Sequence, residues 1–419
     1  MLDRVHFENF KSLENVTIDL ERLTVLTGPN GSGKSSVLQA LHLLSLTGVP
    51  RPEDGSNTWR RFGGIYTGAL DPARLASHDL PANIKLAARR KDGEEVELAI
   101  RVEKPVGRAP NGDECEFAVI VRTPTGASAG VTIPSDWPDR KDELIVLDSP
   151  AVRRLASTVY LHLDASVMGQ PSVPEEERPR LSPNGDNLAS TLTWMKGAAE
   201  ESLDAVREAL RRVVPGVRRI RTARGSVLRR RITRIDVDGQ PVWRPVDETV
   251  LADQFEIEFD DGRRIPADLL SEGTLLALGL LTKLHEPERP RLLLLDDIDR
   301  GLHVEAQAEL VRVLRELLDS DPELQIVCTT HSPYLLDRFE PKEVRALGLD
   351  MERHTRARAL TEHPEFEKWQ FGSQTGELWA APHSAPERRR HGRQGGSGGA
   401  VRGGPRAGAG VLGRLVLSA

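Results

Sequence analysis

Gly28-Pro29-Asn30-Gly31-Ser32-Gly33-Lys34-Ser35-Ser36 is the stretch on which the fold turns. Its first eight residues fit G-x-x-x-x-G-K-[ST]. Just ahead, Leu23-Thr24-Val25-Leu26-Thr27 is a short run suited to a strand buried on both faces. Just behind, Val37-Leu38, Leu41 and Leu43-Leu44 recur at helical spacing. Strand, glycine-rich loop and helix together make the context this pattern needs. Glycines let successive backbone N–H groups converge on phosphate oxygens at the positive end of the following helix. Gly28, Asn30, Gly31, Ser32, Gly33, Lys34, Ser35 and Ser36 are therefore expected to cradle ATP. Lys34 would bridge the β- and γ-phosphates, and the Ser35 hydroxyl would ligate Mg2+. A flexible turn is the competing reading, and the flanking strand and helix weigh against it.

A second half of such a site lies 262 residues beyond Lys34. Arg291-Leu292-Leu293-Leu294-Leu295-Asp296-Asp297 reads as a buried strand whose acids emerge at its carboxyl end, where doubly wound sheets bind ligands. Asp296 would hold Mg2+ and Asp297 would polarise the attacking water. Many strands end in acids, so this run gains its meaning from the phosphate loop. Val327-Cys328-Thr329-Thr330-His331 is a further strand ending in a histidine, after a stretch of helical spacing over Ala306–Leu318. Leu270-Ser271-Glu272-Gly273-Thr274 precedes the Asp296 strand by one helix. Taken alone, Ser-Glu-Gly is an ordinary helix cap with an acid in the first turn.

In this order Gly28–Ser35, Leu270–Thr274, Asp296–Asp299 and His331 resemble the ABC-type ATPases, and more narrowly the RecF/SMC/OLD-like branch of AAA-family ATPases. The wording GPNGSGKS, LLSEGTLLALGLL, IDRGLH and TTHSPYLL carries the resemblance over most of residues 1–379. It implies an α/β P-loop NTPase fold, an ABC-like head that forms a homodimer around two ATP molecules. Ser271, Glu272 and Gly273 would then face the γ-phosphate held by the other protomer, with Lys34, Asp297 and His331 in catalysis. The family usually has Glu where this chain has Asp297, one methylene shorter, which implies slower hydrolysis. Asp299 and His303 match positions where the family often has an acid and a His, near the dimer contact. Gln170 follows the strand at Tyr160, but its reading as a solvated loop residue outweighs a nucleotide role.

The rest of the chain sets the domain plan. Val5–Phe7, stalling at Asn9, and Val16–Leu20 read as strands. Ile84–Leu86, Val96–Val102, Glu116–Val121 and Leu144–Leu147 read as an antiparallel meander. A helical region runs from Leu188 to Val214, stopping at Pro215-Gly216, and short strands follow at Arg231–Val237 and Phe255–Phe259. The expected plan is a discontinuous head over 1–165 and 250–380, with an antiparallel β subdomain over 84–147. A helical, Arg-rich lobe would be inserted over 166–250. Residues 381–419, with ten glycines between 380 and the end, would form a disordered tail.

Composition bounds the classes. Hydrophobic residues at 38% and charged residues at 29% describe a globular chain, and the apolar runs are too short to cross a bilayer. Two cysteines make no disulfide framework, and MLDRVHFENF has no apolar signal segment, so a cytoplasmic protein is expected. Net charge is −6, yet residues 380–419 hold seven arginines against one acid, a local +6 that leaves −12 on the body. Within that body, eleven arginines face one acid between Arg207 and Arg234. They read equally as contacts to a DNA backbone and as a solvated face paired with the acidic body. The functional expectation is an ATP-driven switch acting in DNA repair or anti-phage defence through a separate nuclease or effector. A non-hydrolysing ATP-gated scaffold and a transporter ATPase subunit are the alternatives. The long spacing and LSEGT in place of LSGGQ count against the transporter.

Overall fold

Period-two alternation builds the first layer. In the computed structural model, β1 (Leu2–Phe10) and β2 (Leu13–Asp19) form a hairpin that places Val5 opposite Ile18 and Phe7 opposite Val16, all four buried. The first strand does not stop before Asn9. It runs to Phe10 because Asn9 takes φ 55°, a left-handed conformation that asparagine tolerates better than most residues. The structure describes residues 1–45, 82–102, 115–122, 128–133, 149–237 and 240–362.

β3 (Leu23–Thr27) is buried at every position and leads through the glycine-rich loop into α1 (Lys34–Ser45). Next come β4 (Ala82–Arg90), β5 (Glu95–Val102), β6 (Cys115–Arg122) and β7 (Ser128–Ile133). They extend the first hairpin into a six-stranded antiparallel sheet of order β2-β1-β4-β5-β6-β7. The meander is therefore continuous with the amino-terminal strands through the β1–β4 pairing. β7 was not among the expected strands, and Leu144–Leu147 lie outside the described residues.

α2 (Pro150–Ala156) starts on Ser149, whose side chain accepts from the Val152 N–H, with proline at the first helical position. It hands over to β8 (Thr158–Leu161), then α3 (Ala165–Met168), α4 (Leu188–Ala198) and α5 (Glu200–Val213). The single helical region expected over Leu188–Val214 is thus two helices, broken where Ala199 leaves helical geometry at φ −148°, ψ 55°.

The larger correction follows. β9 (Val217–Val237) and β10 (Gln240–Phe259) are one long ribbon, in a single register from Arg219 opposite Glu258 to Val237 opposite Gln240, with a register shift at its base where Val217 meets Phe259. Two short strands at Arg231–Val237 and Phe255–Phe259 are replaced by strands of 21 and 20 residues. Charged partners sit opposite each other along it, Arg224 with Asp253 and Arg230 with Asp247, and such cross-strand pairs stabilise a ladder that hydropathy does not reveal. Pro241 and Pro245 are accommodated because the third strand, β11 (Arg264–Pro266), pairs only with Glu256–Glu258 and leaves that edge of β10 free.

The chain then forms α6 (Glu272–Leu284), β12 (Leu292–Leu295), α7 (Val304–Ser320), β13 (Gln325–Thr330), α8 (Pro333–Leu336), β14 (Val344–Leu349) and β15 (Thr355–Ala359). The second large sheet has the order β15-β14-β3-β13-β12-β8, parallel except for the β14–β15 pair. It divides the interior. Leu293, Leu295, Ile326 and Val25 face a core shared with α4 to α7 and the base of the ribbon, whereas Leu292, Leu294, Val327 and Leu26 face α1 and the antiparallel sheet. One sheet between a helical layer and a mixed layer explains why its strands read as unbroken apolar runs. This is a P-loop NTPase arrangement of α/β class, with the glycine-rich loop and the acids at the carboxyl ends of β3 and β12, one strand apart. Contacts group Met1–Ala380 as one unit and Ala381–Ala419 as another, and the second, the expected tail, lies outside the described residues. Among the described residues no helix is long and apolar enough to cross a membrane.

Candidate functional site

The loop after β3 is shaped by close approach. Gly33 takes φ 97°, and a Cβ there would lie 2.3 Å from Thr355 Oγ1, so only glycine fits. Thr355 in turn donates to the Ser32 carbonyl at 3.0 Å, tying the loop to β15. Lys34 curls back over the loop, and its ammonium donates to the Gly28 and Pro29 carbonyls at 2.9 and 3.0 Å. Burial pushes its pKa down, opposed by Asp297, Asp296 and Asp299. A buried cation resting on neutral carbonyls, beside a buried Ser32 hydroxyl with no hydrogen bond among the described residues, is a cradle suited to an anion.

The strand order brings the acids to this loop. Ser35 Oγ donates to Asp296 Oδ1 at 3.2 Å across 261 residues of sequence. Thr329 Oγ1, on the intervening strand β13, donates to the same oxygen at 2.6 Å, and the Tyr160 hydroxyl donates to Asp296 Oδ2 at 3.3 Å. A hydroxyl and a carboxylate converging in this way form a hard-oxygen pair of the kind Mg2+ takes. Thr329 also accepts the Asp297 N–H at 2.8 Å, so one hydroxyl sets the positions of both acids. Thr329 and Tyr160 were missed from sequence. Thr329 stands two residues before His331, and only its adjacency to β12 gives it this role.

Asp297 takes φ 49°, which turns its side chain out of the strand direction, and it is half-exposed. Burial raises its pKa first, repulsion from Asp296 adds to this, and His331 opposes it. His331 Nε2 lies 3.9 Å from Asp297 Oδ1, close enough for charge to be felt but long for a hydrogen bond. Asp299 accepts from Thr330 Oγ1 at 2.5 Å and from the His331 N–H at 3.3 Å, which clamps the ends of β12 and β13 together. A raised carboxyl pKa in the folded state means that the ionised form opposes folding. The favourable contribution is full below the ordinary carboxylate range and is lost as pH rises through the raised value. Asp297→Asn is therefore expected to raise the melting temperature of the nucleotide-free protein at pH 7. The gain corresponds to less than about 1 kcal/mol because the group is half-exposed, and it should vanish toward pH 4. Paired thermal melts at the two pH values check this.

Ser271 caps α6, its Oγ accepting from the Thr274 N–H at 3.3 Å, as the local sequence reading required. A Cβ on Gly273 would come 2.0 Å from the Gly301 carbonyl oxygen, so this loop lies directly against the turn that follows the acids. Glu272 pairs with Arg300 at 2.7 Å. Among the described residues no hydrogen bond or ion pair joins Ser271, Glu272 or Gly273 to Gly28–Ser36. Gln170 is exposed, its N–H bonded to the Val167 carbonyl, in keeping with a solvated loop residue. His162, directly after β8, lines the same pocket as Asp296, and partial desolvation pushes its pKa down against the opposing charges of Asp296 and Asp164.

Among the described side chains of the arginine-rich region, seven arginines hold ion pairs, including Arg212 with Glu309 and Glu316, Arg221 with Glu258, and Arg224 with Asp253. The reading of these residues as partners of the acidic body is the one these contacts favour.

Comparison with known proteins adds the family. Residues 138–337 match the family described as "AAA domain, putative AbiEii toxin, Type IV TA system", and residues 4–123 match a second described as an AAA domain. Over 69 residues the chain is 35% identical to the Septu protein PtuA of Bacillus thuringiensis, which is 16% of this chain and 17% of that protein. Over 57 residues it is 44% identical to the DNA replication and repair protein RecF of Chlorobium luteolum, 12% of this chain and 15% of that one. These matched stretches span less than a fifth of either relative. Among solved structures, the SMC head bound to the C-winged helix domain of ScpA superposes with a TM-score of 0.48 at 14% identity, over 87% of this chain and 99% of that one.

Proposed function

We propose, from the likeness of this chain to the ABC/AAA-type ATPases of the RecF/SMC/OLD-like branch, that it is an ATP-hydrolysing switch. Its ATP-closed homodimer would drive a separate effector acting on nucleic acid, in DNA repair or anti-phage defence. The observation that carries the reading is the 3.2 Å contact between Ser35 and Asp296 beside the buried Lys34 ammonium.

Gly28 to Ser36 would hold the phosphates through backbone N–H groups and the α1 N-terminus. Lys34, now on the Gly28 and Pro29 carbonyls, would turn to the β- and γ-phosphates. Ser35 and Asp296 would hold Mg2+, which when bound would supply charge neutralisation. Asp297, with its raised pKa, accepts a proton from the attacking water, and His331 stands beside it to complete the polar wall. Ser271 and Gly273 present the α6 N-terminus to the γ-phosphate of the partner. Steady-state phosphate release by the purified chain tests hydrolysis. A second reading, an ATP-gated scaffold without turnover, is favoured by the short Asp297 side chain. It predicts ATP-dependent association with no phosphate released.

Nucleic-acid binding belongs to the same proposal. Arg229, Arg230 and Arg231 lie in the part of the ribbon beyond the Ser172–Asp253 bridge at its base. Reversing all three charges is expected to weaken DNA binding at least tenfold at 0.1 M salt, across sequences. The slope of log affinity against log salt should become shallower by about two, since Arg230 already pairs with Asp247. An unchanged slope in a salt titration would place the contact elsewhere.

A further inference from the structure

Glu272 poses an electrostatic problem for the α6 N-terminus. An acid in the first turn of a helix is comfortable in an isolated protein, because it meets the positive end of the helix dipole. The same carboxylate repels a phosphate brought to that end. Arg300 is placed to resolve the conflict. Its Nη2 lies 2.7 Å from Glu272 Oε1, and both side chains are about half-exposed, at 57% and 47%, so the pair lies open at the surface. Its own backbone is fixed from the other side, since the Arg300 N–H donates to the Asp297 carbonyl at 3.0 Å. Gly301 beside it is in backbone contact with Gly273, at a distance that no side chain on Gly273 would allow. One residue thus ties the turn that carries Asp297 to the helix end that carries Ser271.

We infer that Arg300 is a positioning residue that masks Glu272, so that the α6 N-terminus can receive the partner's γ-phosphate despite the acid in its first turn. The inference rests on the head-dimer reading above. A guanidinium paired with a carboxylate cancels its charge, so the helix end presents no net negative charge to the phosphate. Removing it leaves two like charges within about 6 Å, which in a water-like dielectric weakens one contact about threefold. A two-fold dimer contains the contact twice, so the expected loss is roughly tenfold.

The test uses the full chain carrying Asp297→Asn, with sedimentation measured against protein concentration in Mg2+-ATP, and nucleotide affinity measured for each variant alongside. Arg300→Ala is expected to raise the dimer dissociation constant about tenfold, and Glu272→Gln alone to lower it. The double variant Arg300→Ala/Glu272→Gln should return to within about twofold of the parent, because no charge is left to mask. A purely structural role for Arg300 would not be rescued by removing the charge on Glu272. An Arg300→Ala protein that associates like the parent, or a double variant as weak as Arg300→Ala, overturns the inference while leaving the head-dimer reading intact. A parent that stays monomeric in Mg2+-ATP removes that reading and this inference together.

Discussion

Lys34→Ala is expected to abolish measurable ATP binding while leaving the fold intact. The ammonium gives charge-assisted hydrogen bonds to phosphate, each worth about 1.5–3 kcal/mol, so losing contacts to two phosphates costs at least a hundredfold in affinity. In the nucleotide-free protein the same group makes two hydrogen bonds to loop carbonyls among the described residues and is itself held in a site that disfavours its charge. Its removal therefore costs about 1 kcal/mol or less of stability. Titration with a fluorescent ATP analogue should show no saturation, and the circular dichroism spectrum should match that of the parent. Binding retained within a few-fold would remove the phosphate-loop assignment.

Asp297→Asn is expected to separate binding from turnover. Asparagine keeps the shape and tolerates the φ of 49° at this position, so the acid's place in the turn is preserved. It cannot accept a proton from water, and loss of a positioned base lowers kcat by about 100- to 10,000-fold. With hydrolysis slowed, the ATP-bound dimer should accumulate, and light scattering should report a doubled mass in Mg2+-ATP and a single mass without it. Ser271→Arg added to this background should return the protein to monomer, because the bulky side chain occupies the α6 end offered to the opposite γ-phosphate. A D297N protein that hydrolyses ATP at the parent rate would transfer the role of base to another residue.

The phosphate loop and Asp296 were legible in the sequence because residue type and spacing are themselves the chemistry. Glycines at Gly28, Gly31 and Gly33, a lysine and a serine in sequence leave few alternatives. The apolar run Leu292–Leu295 gave its strand for a similar reason, since a strand covered on both faces has no alternation to hide. Thr329 and Tyr160 were not legible. They reach Asp296 because β13 and β8 flank β12, and strand order is a property of the whole sheet. The β9–β10 ribbon was missed for a different reason. Arginines fall on both of its faces, at Arg229 and Arg230 and again at Arg218 and Arg219, which erases the polar–apolar alternation by which exposed strands are read. Its signal was in the charges of the partner strand, where Asp247, Asp253 and Glu258 wait at paired positions.

The division of β12 between two cores gives the acid pair no private support. Leu292 and Leu294 belong to one packed interior and Leu293 and Leu295 to the other, and Asp296 begins where both end. A close-packed interior passes strain on instead of absorbing it. The strand therefore acts as a common beam loaded from both sides, and a disturbance in either layer reaches Asp296 and Asp297 through adjacent residues. Fine adjustment of ATP chemistry is thus open to contacts made far from the nucleotide, on the helical face as readily as on the β face.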